Sequence, residues 1–332
     1  MTAIIDIHTH VVPERFPIGP KHAAEHWPCM NRNRHGGCLM TVGGRPFREL
    51  DARVWDVGER RAAMALEGTD IHVLSPMPEL LSHWLDADDA VPLLRHVNET
   101  IAHMVKEAPA SFVGLGAVPM QSPDKAVDEL DVIKFDLGLS GIEVGASINE
   151  RPLGDPMFRP VLARAQELQL AVFVHSVRPS LSAVWEPHTL FAPTVGYPTD
   201  VAMAAMSLLL NDVMRELPEL RIAFAHGGGA LITILPRLAV AWERSQSFRE
   251  RVRFPPIETA SRFFYDSLLY EPHLLMALVE LVGASRICIG SDEPFAIRQP
   301  RPAEFVCGLP LSETDKTSIL HHNARRFLAL DS

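Results

Sequence analysis

The residues of this chain whose types and spacing offer chemistry are His8, His10, His175, His226 and Asp292. The first pair lies in Ile5-Asp6-Ile7-His8-Thr9-His10-Val11. On a strand, side chains two apart point the same way. Asp6, His8 and His10 are therefore expected on one face. Ile5, Ile7, Thr9 and Val11 are expected on the other, packed under helices. Two imidazoles side by side at a strand end make half of a metal site. Two surface histidines near a terminus would read the same way, so the pair needs company. His175 closes the apolar run 171–175 and His226 closes 221–226, just before Gly227-Gly228-Gly229. Asp292 closes the run 286–292. Of the 15 histidines, four thus end strand-like runs, beside an aspartate that ends another. Any one of them fits a capped or hydrogen-bonded core histidine. Apolar strands that repeatedly stop at metal-type ligands are hard to explain by packing.

Something must hold those ends together. Short apolar runs recur at 71–74, 112–118, 141–145, 171–175, 221–226, 263–266 and 286–292, after the opening one. Helical periodicity follows each, near 56–67, 87–107, 123–137, 155–168, 199–216, 229–245, 271–282 and 312–328. Strands of this kind, alternating with amphipathic helices, predict a parallel sheet buried on both faces. Eight such units are the count of an α/β (β/α)8 TIM barrel, whose active site lies at the C-terminal strand ends. The expected organisation is a single domain over 1–332 with an insertion at about 12–54. That insertion carries Pro13, Pro17, Pro20 and Pro28, and a hairpin arm at 38–42 before Gly43-Gly44.

Composition narrows the partners. The chain has 332 residues, 47% hydrophobic and 22% charged, with a formal net charge of -10 and no long run of one sign. That balance argues against a nucleic-acid surface, which needs a basic face. A local group of arginines can still receive an anionic substrate. No apolar run is long enough for a membrane span, and no signal peptide is expected. Cys29, Cys38, Cys288 and Cys307 form no C-x-x-C pair, which reads as reduced thiols in a cytoplasmic protein.

His8-Thr9-His10, the His175 strand end, Ala225-His226-Gly227-Gly228-Gly229, the Arg237–Trp242 stretch and Gly290-Ser291-Asp292-Glu293-Pro294 together resemble the amidohydrolase superfamily. More narrowly, they resemble its branch typified by aminocarboxymuconate-semialdehyde decarboxylase, and the resemblance covers essentially the whole chain. The resemblance implies that His8, His10, His175 and Asp292 bind one divalent metal ion, zinc (Zn2+) first and manganese (Mn2+) second. The metal would acidify its water to hydroxide near neutral pH. His226 would act as general base and then general acid, with Asp292 sharing hydrogen bonds to the same water. Binuclear relatives carry a bridging lysine on strand 4. Here Gly141-Ile142-Glu143-Val144-Gly145 has none, which favours a mononuclear site. Glu143 is then a polar wall or a structural group, and Asp6 supports the first strand or orients a ligand histidine.

By the same resemblance, Arg48 grips a substrate carboxylate, Arg45 assists, and Arg237 reaches the neighbouring subunit's site in a homodimer. A planar guanidinium suits bidentate carboxylate binding. Arg178, three residues after His175, departs from the family's Trp-containing loop. It is either a receptor for a second anionic group or a plain loop charge. Trp185 and Phe295 line the pocket or belong to the core. The function expected is a metal-dependent, non-oxidative decarboxylase (a carboxy-lyase) of a small unsaturated or aromatic carboxylic acid from aromatic catabolism. A hydrolase of a C–C, ester, lactone or amide bond, or a hydratase, would need the same groups. A binding module without catalysis is the alternative outside enzymes.

Overall fold

A computed structural model describes residues 2–32, 37–179 and 190–330. Eight parallel strands lie side by side in chain order. They are β1 (Ile5–Val11), β2 (Ile71–Pro76), β3 (Phe112–Gly116), β4 (Gly141–Gly145), β5 (Ala171–His175), β6 (Ile222–Phe224), β7 (Phe264–Asp266) and β8 (Ile287–Cys288). The ring closes where β1 meets the chain after β8, through bridges between Asp6 and Ile289 and between Thr9 and Glu293. Ile7 N–H donates to the Ile289 carbonyl at 2.9 Å, and His10 N–H to the Glu293 carbonyl at 2.8 Å. The expected eight-stranded barrel is the observed one. β6 and β8 are shorter than expected because the chain turns out of the ladder to reach His226 and Asp292.

Helices α1 (Val57–Glu67), α2 (Ala87–Glu107), α3 (Pro123–Asp131), α4 (Arg159–Glu167), α5 (Tyr197–Leu210), α6 (Leu231–Arg244), α7 (Pro272–Val282) and α8 (Asn323–Leu328) follow the strands. The last expected helix is broken, with a short turn at Glu313–Thr317 and a wide one at Ser318–His322 before α8. The insertion after β1 folds as a three-stranded antiparallel sheet, Pro28–Arg32, Cys38–Val42 and Arg45–Leu50, reversing at Gly43-Gly44.

The first strand departs from simple alternation. Three steps along β1, from Asp6 to Thr9, face two along β2, from His72 to Leu74. This extra residue is a bulge, and it reverses which side chains face inward. Ile5 and Ile7 pack with Val73, Leu115, Phe173 and Ala223 inside the barrel. His8 and His10 then face inward too, above that apolar layer. Phe327 and Leu328 of α8 join the same layer. Asp6 leaves the ligand face. Its Oδ1 accepts from His8 N–H at 3.0 Å and Ser291 N–H at 3.2 Å, fastening β1 to the chain after β8.

Gly290 provides clearance at this seam. A Cβ there would lie 2.6 Å from Asp266 Cβ and 3.0 Å from His8 Cβ. Gly290→Ala is expected to destabilise the chain by about 1–3 kcal/mol, as overpacking does. Chemical denaturation of the full chain measures this, and an unchanged midpoint would show that the seam has slack.

Candidate metal centre

Hydrogen bonds behind each ring decide what it presents in front. His10 Nδ1 donates to the Pro76 carbonyl at 3.0 Å, and His175 Nδ1 to the Ser176 carbonyl at 2.7 Å. A carbonyl only accepts, so both rings are protonated at Nδ1 and carry a lone pair on Nε2. His8 Nδ1 lies 2.6 Å from Asp266 Oδ2, which selects the same tautomer. In front, the Nε2 atoms of His8 and His10 are 3.1 Å apart. Asp292 Oδ1 lies 3.5 Å from the first and 3.2 Å from the second. One ligand atom from each of His8, His10, His175 and Asp292 falls within 4.8 Å of the others. His175 Nε2 and Asp292 Oδ1 are buried without a hydrogen-bond partner. Lone pairs and a carboxylate facing one another out of water repel, and a central cation removes that cost. The donor set fits one divalent metal ion, with three neutral nitrogens and one carboxylate oxygen.

Ionisation agrees with this geometry. Burial holds His10 and His175 down to about 4, and His8 well below the ordinary imidazole value. The rings are therefore neutral ligands. Burial lifts Asp292 to about 7.

Asp266 was missed by sequence reasoning, although it ends β7 as Asp292 ends the run after β8. Besides His8, its carboxylate accepts from His226 N–H at 2.9 Å, Gly227 N–H at 2.6 Å and Leu268 N–H at 3.0 Å. One buried acid thus orients a ligand ring and anchors the His226 turn. Arg60 of α1 was missed as well. Fully buried, it donates to the His10 carbonyl and, at 2.8 Å, to the Arg53 carbonyl, pinning the end of β1.

His226 stands beside the ligands, its ring centroid 4.9 Å from that of His175 and 5.4 Å from that of His8. Burial and the neighbouring imidazoles keep it well below the ordinary value, so it is neutral. Its Nδ1 has no partner. Glu143 Oε2 lies 3.7 Å from His10 Nδ1, and burial pushes this carboxyl well above its usual range.

The expected arginines divide. Arg48 lies over Phe295, 4.3 Å from its centroid, and Phe295 stacks on His10 at 5.1 Å. Arg48 is therefore one ring's thickness from a ligand histidine. It donates to Glu79 Oε1 at 3.2 Å, and Tyr197 donates to the same oxygen at 3.3 Å. Neither Glu79 nor Tyr197 was singled out from sequence. Arg178 lies over Trp84, 3.3 Å from its ring centroid. Arg45, at the hairpin turn, and Arg237, on α6, are exposed and are not brought to the ligands within this chain. Trp185 lies outside the described residues.

A family model described as amidohydrolase matches residues 5–330. Among characterised proteins, the chain is similar to the 2-amino-3-carboxymuconate-6-semialdehyde decarboxylase of Dictyostelium discoideum, 31% identical over 334 residues, covering 98% of this chain and 92% of that protein. In fold it is similar to 5-carboxyvanillate decarboxylase from Sphingomonas paucimobilis, with a TM-score of 0.83, 23% identity and 99% of each chain covered. It is also similar to a dihydroxybenzoic acid decarboxylase from Polaromonas sp., solved with manganese and the inhibitor 2-nitroresorcinol, with a TM-score of 0.80, 21% identity, and 100% and 98% covered.

Asp266→Asn is expected to weaken metal binding by about 10–100-fold, the usual cost of losing a ligand's orienting partner. Titration with a competing chelator measures it, and unchanged affinity would remove Asp266 from the site. Metal binding must also expel the proton that Asp292 holds below about pH 7, while His10 and His175 protonate only near 4. Apparent affinity should therefore fall roughly tenfold per pH unit below 7. Calorimetry in buffers of different ionisation enthalpy should find about one proton released at a pH near 5.5. Flat affinity across that range would contradict the assignment.

Proposed function

The chain belongs to the amidohydrolase family, and on that premise we propose that it is a metal-dependent, non-oxidative decarboxylase of a small unsaturated or aromatic carboxylic acid in aromatic catabolism. The observation that carries this reading is the convergence of three imidazole lone pairs and the Asp292 carboxylate, with neutral His226 beside them and Arg48 one ring away. Similarity to the Dictyostelium decarboxylase over nearly the whole chain supports it.

His8, His10, His175 and Asp292 would hold the ion. We take zinc as the resident metal because the donors are nitrogen-rich. Manganese, present in the Polaromonas protein, is the ion to test against it. Bound there, a divalent cation would supply Lewis acidity and stabilise negative charge developing on the substrate. The chain's own groups do the rest. Arg48, fixed over Phe295, orients the carboxylate by hydrogen bonds and charge. His226, neutral and with an open nitrogen, takes a proton from water and delivers it to the substrate carbon as that carbon's bond to the departing carbon dioxide breaks. The apolar layer beneath the ligands keeps water from the floor of the site. Arg237, exposed on α6, would complete the site of a second copy in a homodimer. The four unpaired cysteines support a reducing, cytoplasmic compartment. We treat residues 1–332 as one catalytic domain.

His226→Ala should lower turnover by about 10²–10⁴-fold, the usual contribution of a general acid–base group, while the metal stays bound. Carbon dioxide release and solvent-oxygen incorporation, followed together over hydroxybenzoates and ring-cleavage acids, test the reaction class. Release without incorporation is expected. Incorporation without release would make the enzyme a hydratase or hydrolase.

A further inference from the structure

A continuous arc of side chains runs round the metal centre from the ligand His10 to His226, and its middle members have no role yet. Phe295 stacks on His10 at 5.1 Å, and Arg48 lies over Phe295 at 4.3 Å. Glu79 comes next. Its Oε1 accepts from Arg48 at 3.2 Å and from the Tyr197 hydroxyl at 3.3 Å. The Tyr197 ring lies nearly parallel to that of His226, at 6.3 Å and 23°, within the range of aromatic pairs. It also meets the ligand His175 edge-on, at 5.6 Å. Glu79 stands in the turn Pro78–Leu81 after β2, Arg48 on the insertion strand Arg45–Leu50, and Tyr197 at the start of α5. Its partners are 31 and 118 residues away in sequence. Glu79 Oε2 is buried without a hydrogen-bond partner, so Oε1 alone carries both contacts. The Glu79 side chain is only 13% exposed, against 31% for Arg48. An exposed ion pair would contribute little. A mostly buried carboxylate held by a guanidinium and a phenol fixes both donors in direction as well as distance.

We propose that Glu79 is a positioning residue that sets the spacing between Arg48 and His226, with Tyr197 as its link to the imidazole. The inference rests on the roles given above to Arg48 and His226. Arg48 holds the carboxylate, and His226 delivers the proton to the carbon that bears it. The two must therefore stand at one fixed separation. A single oxygen shared by Arg48 and the Tyr197 hydroxyl joins the insertion, which carries the first, to α5, which backs the second. Glu79 itself takes no part in proton movement. A misplacement of about 1 Å between such groups can cost about 100-fold in rate.

A mutant cycle on the metal-loaded full chain tests this. Glu79→Ala should lower kcat about 10–100-fold with KM nearly unchanged, because Arg48 remains to bind the carboxylate. Tyr197→Phe should lower kcat about tenfold, the cost of one hydrogen bond to a charged group. The double variant should be no worse than Glu79→Ala alone, since the hydroxyl then has nothing to hold. Glu79→Gln keeps an accepting oxygen and should recover most of the loss, which also separates positioning from misfolding of Glu79→Ala. Metal content should match wild type throughout. Losses that multiply in the double variant, a loss confined to KM, or a Glu79→Gln as impaired as Glu79→Ala would overturn the proposal. The cycle is read on whichever turnover the enzyme shows, so its failure is separable from that of the decarboxylase reading. Solvent-oxygen incorporation without carbon dioxide release, with the double variant no worse than Glu79→Ala, overturns decarboxylation alone. Carbon dioxide release with multiplying losses overturns the positioning role alone.

Discussion

Three imidazole lone pairs and a carboxylate oxygen are made to face one another in a space closed to water. Protonation of Asp292 eases that repulsion when no cation is bound, yet much of the chain enforces the arrangement. The Pro76 and Ser176 carbonyls and the Asp266 carboxylate each hold a ring from behind, so that none can turn its N–H inward. Arg60 clamps the end of β1 and Asp6 ties β1 to the chain after β8. The barrel thus stores an unfavourable arrangement that a cation converts into a binding site. Folding free energy spent on ordering these groups beforehand is not needed when the ion arrives.

How much of this was legible follows from which features have a local signature. Strand ends do, because a strand must stop being apolar where its barrel opens to the site. That rule located His8, His10, His175, His226 and Asp292, and, applied to β7, would also have given Asp266. The bulge in β1 has no such signature. Strict alternation puts Ile7 and His8 on opposite faces, whereas the extra residue between Asp6 and Thr9 turns both inward. Register belongs to the pairing of two strands, and one strand's sequence does not contain it. Arg60 is invisible for a similar reason. On α1 it reads as an exposed helix charge, and only the carbonyls left over at the end of β1 make it a buried one.

The arginines show that residue type sets only what a group can do. Arg48, Arg53, Arg60 and Arg178 are chemically the same, and their roles diverge with their partners. Arg53 and Arg298 lie 2.7 Å and 2.6 Å from the oxygens of Glu293, which follows Asp292, and so brace the loop that carries that ligand. Arg48 meets Glu79 and Phe295 and stays beside the ligands. An overall charge of -10 is no obstacle to an anionic substrate under these conditions, because the field that matters is set by cations within a few ångströms of the pocket.

The backbone at the rim carries the same logic to its end. His226 and Asp292 both sit at positive φ, 55° and 67°, where a side chain other than glycine's is disfavoured by about 1 kcal/mol or more. An extended strand would point its next side chain along the barrel wall. A left-handed residue at the strand's last position breaks that path and swings the side chain over the open end. The cost is held by neighbours that leave no alternative: Asp266 takes the N–H groups of His226 and Gly227, and the His8 carbonyl takes that of Asp292 at 2.9 Å. β6 and β8 are short for this reason. Their ladders stop early so that the next residues can leave the sheet and face the centre of the barrel.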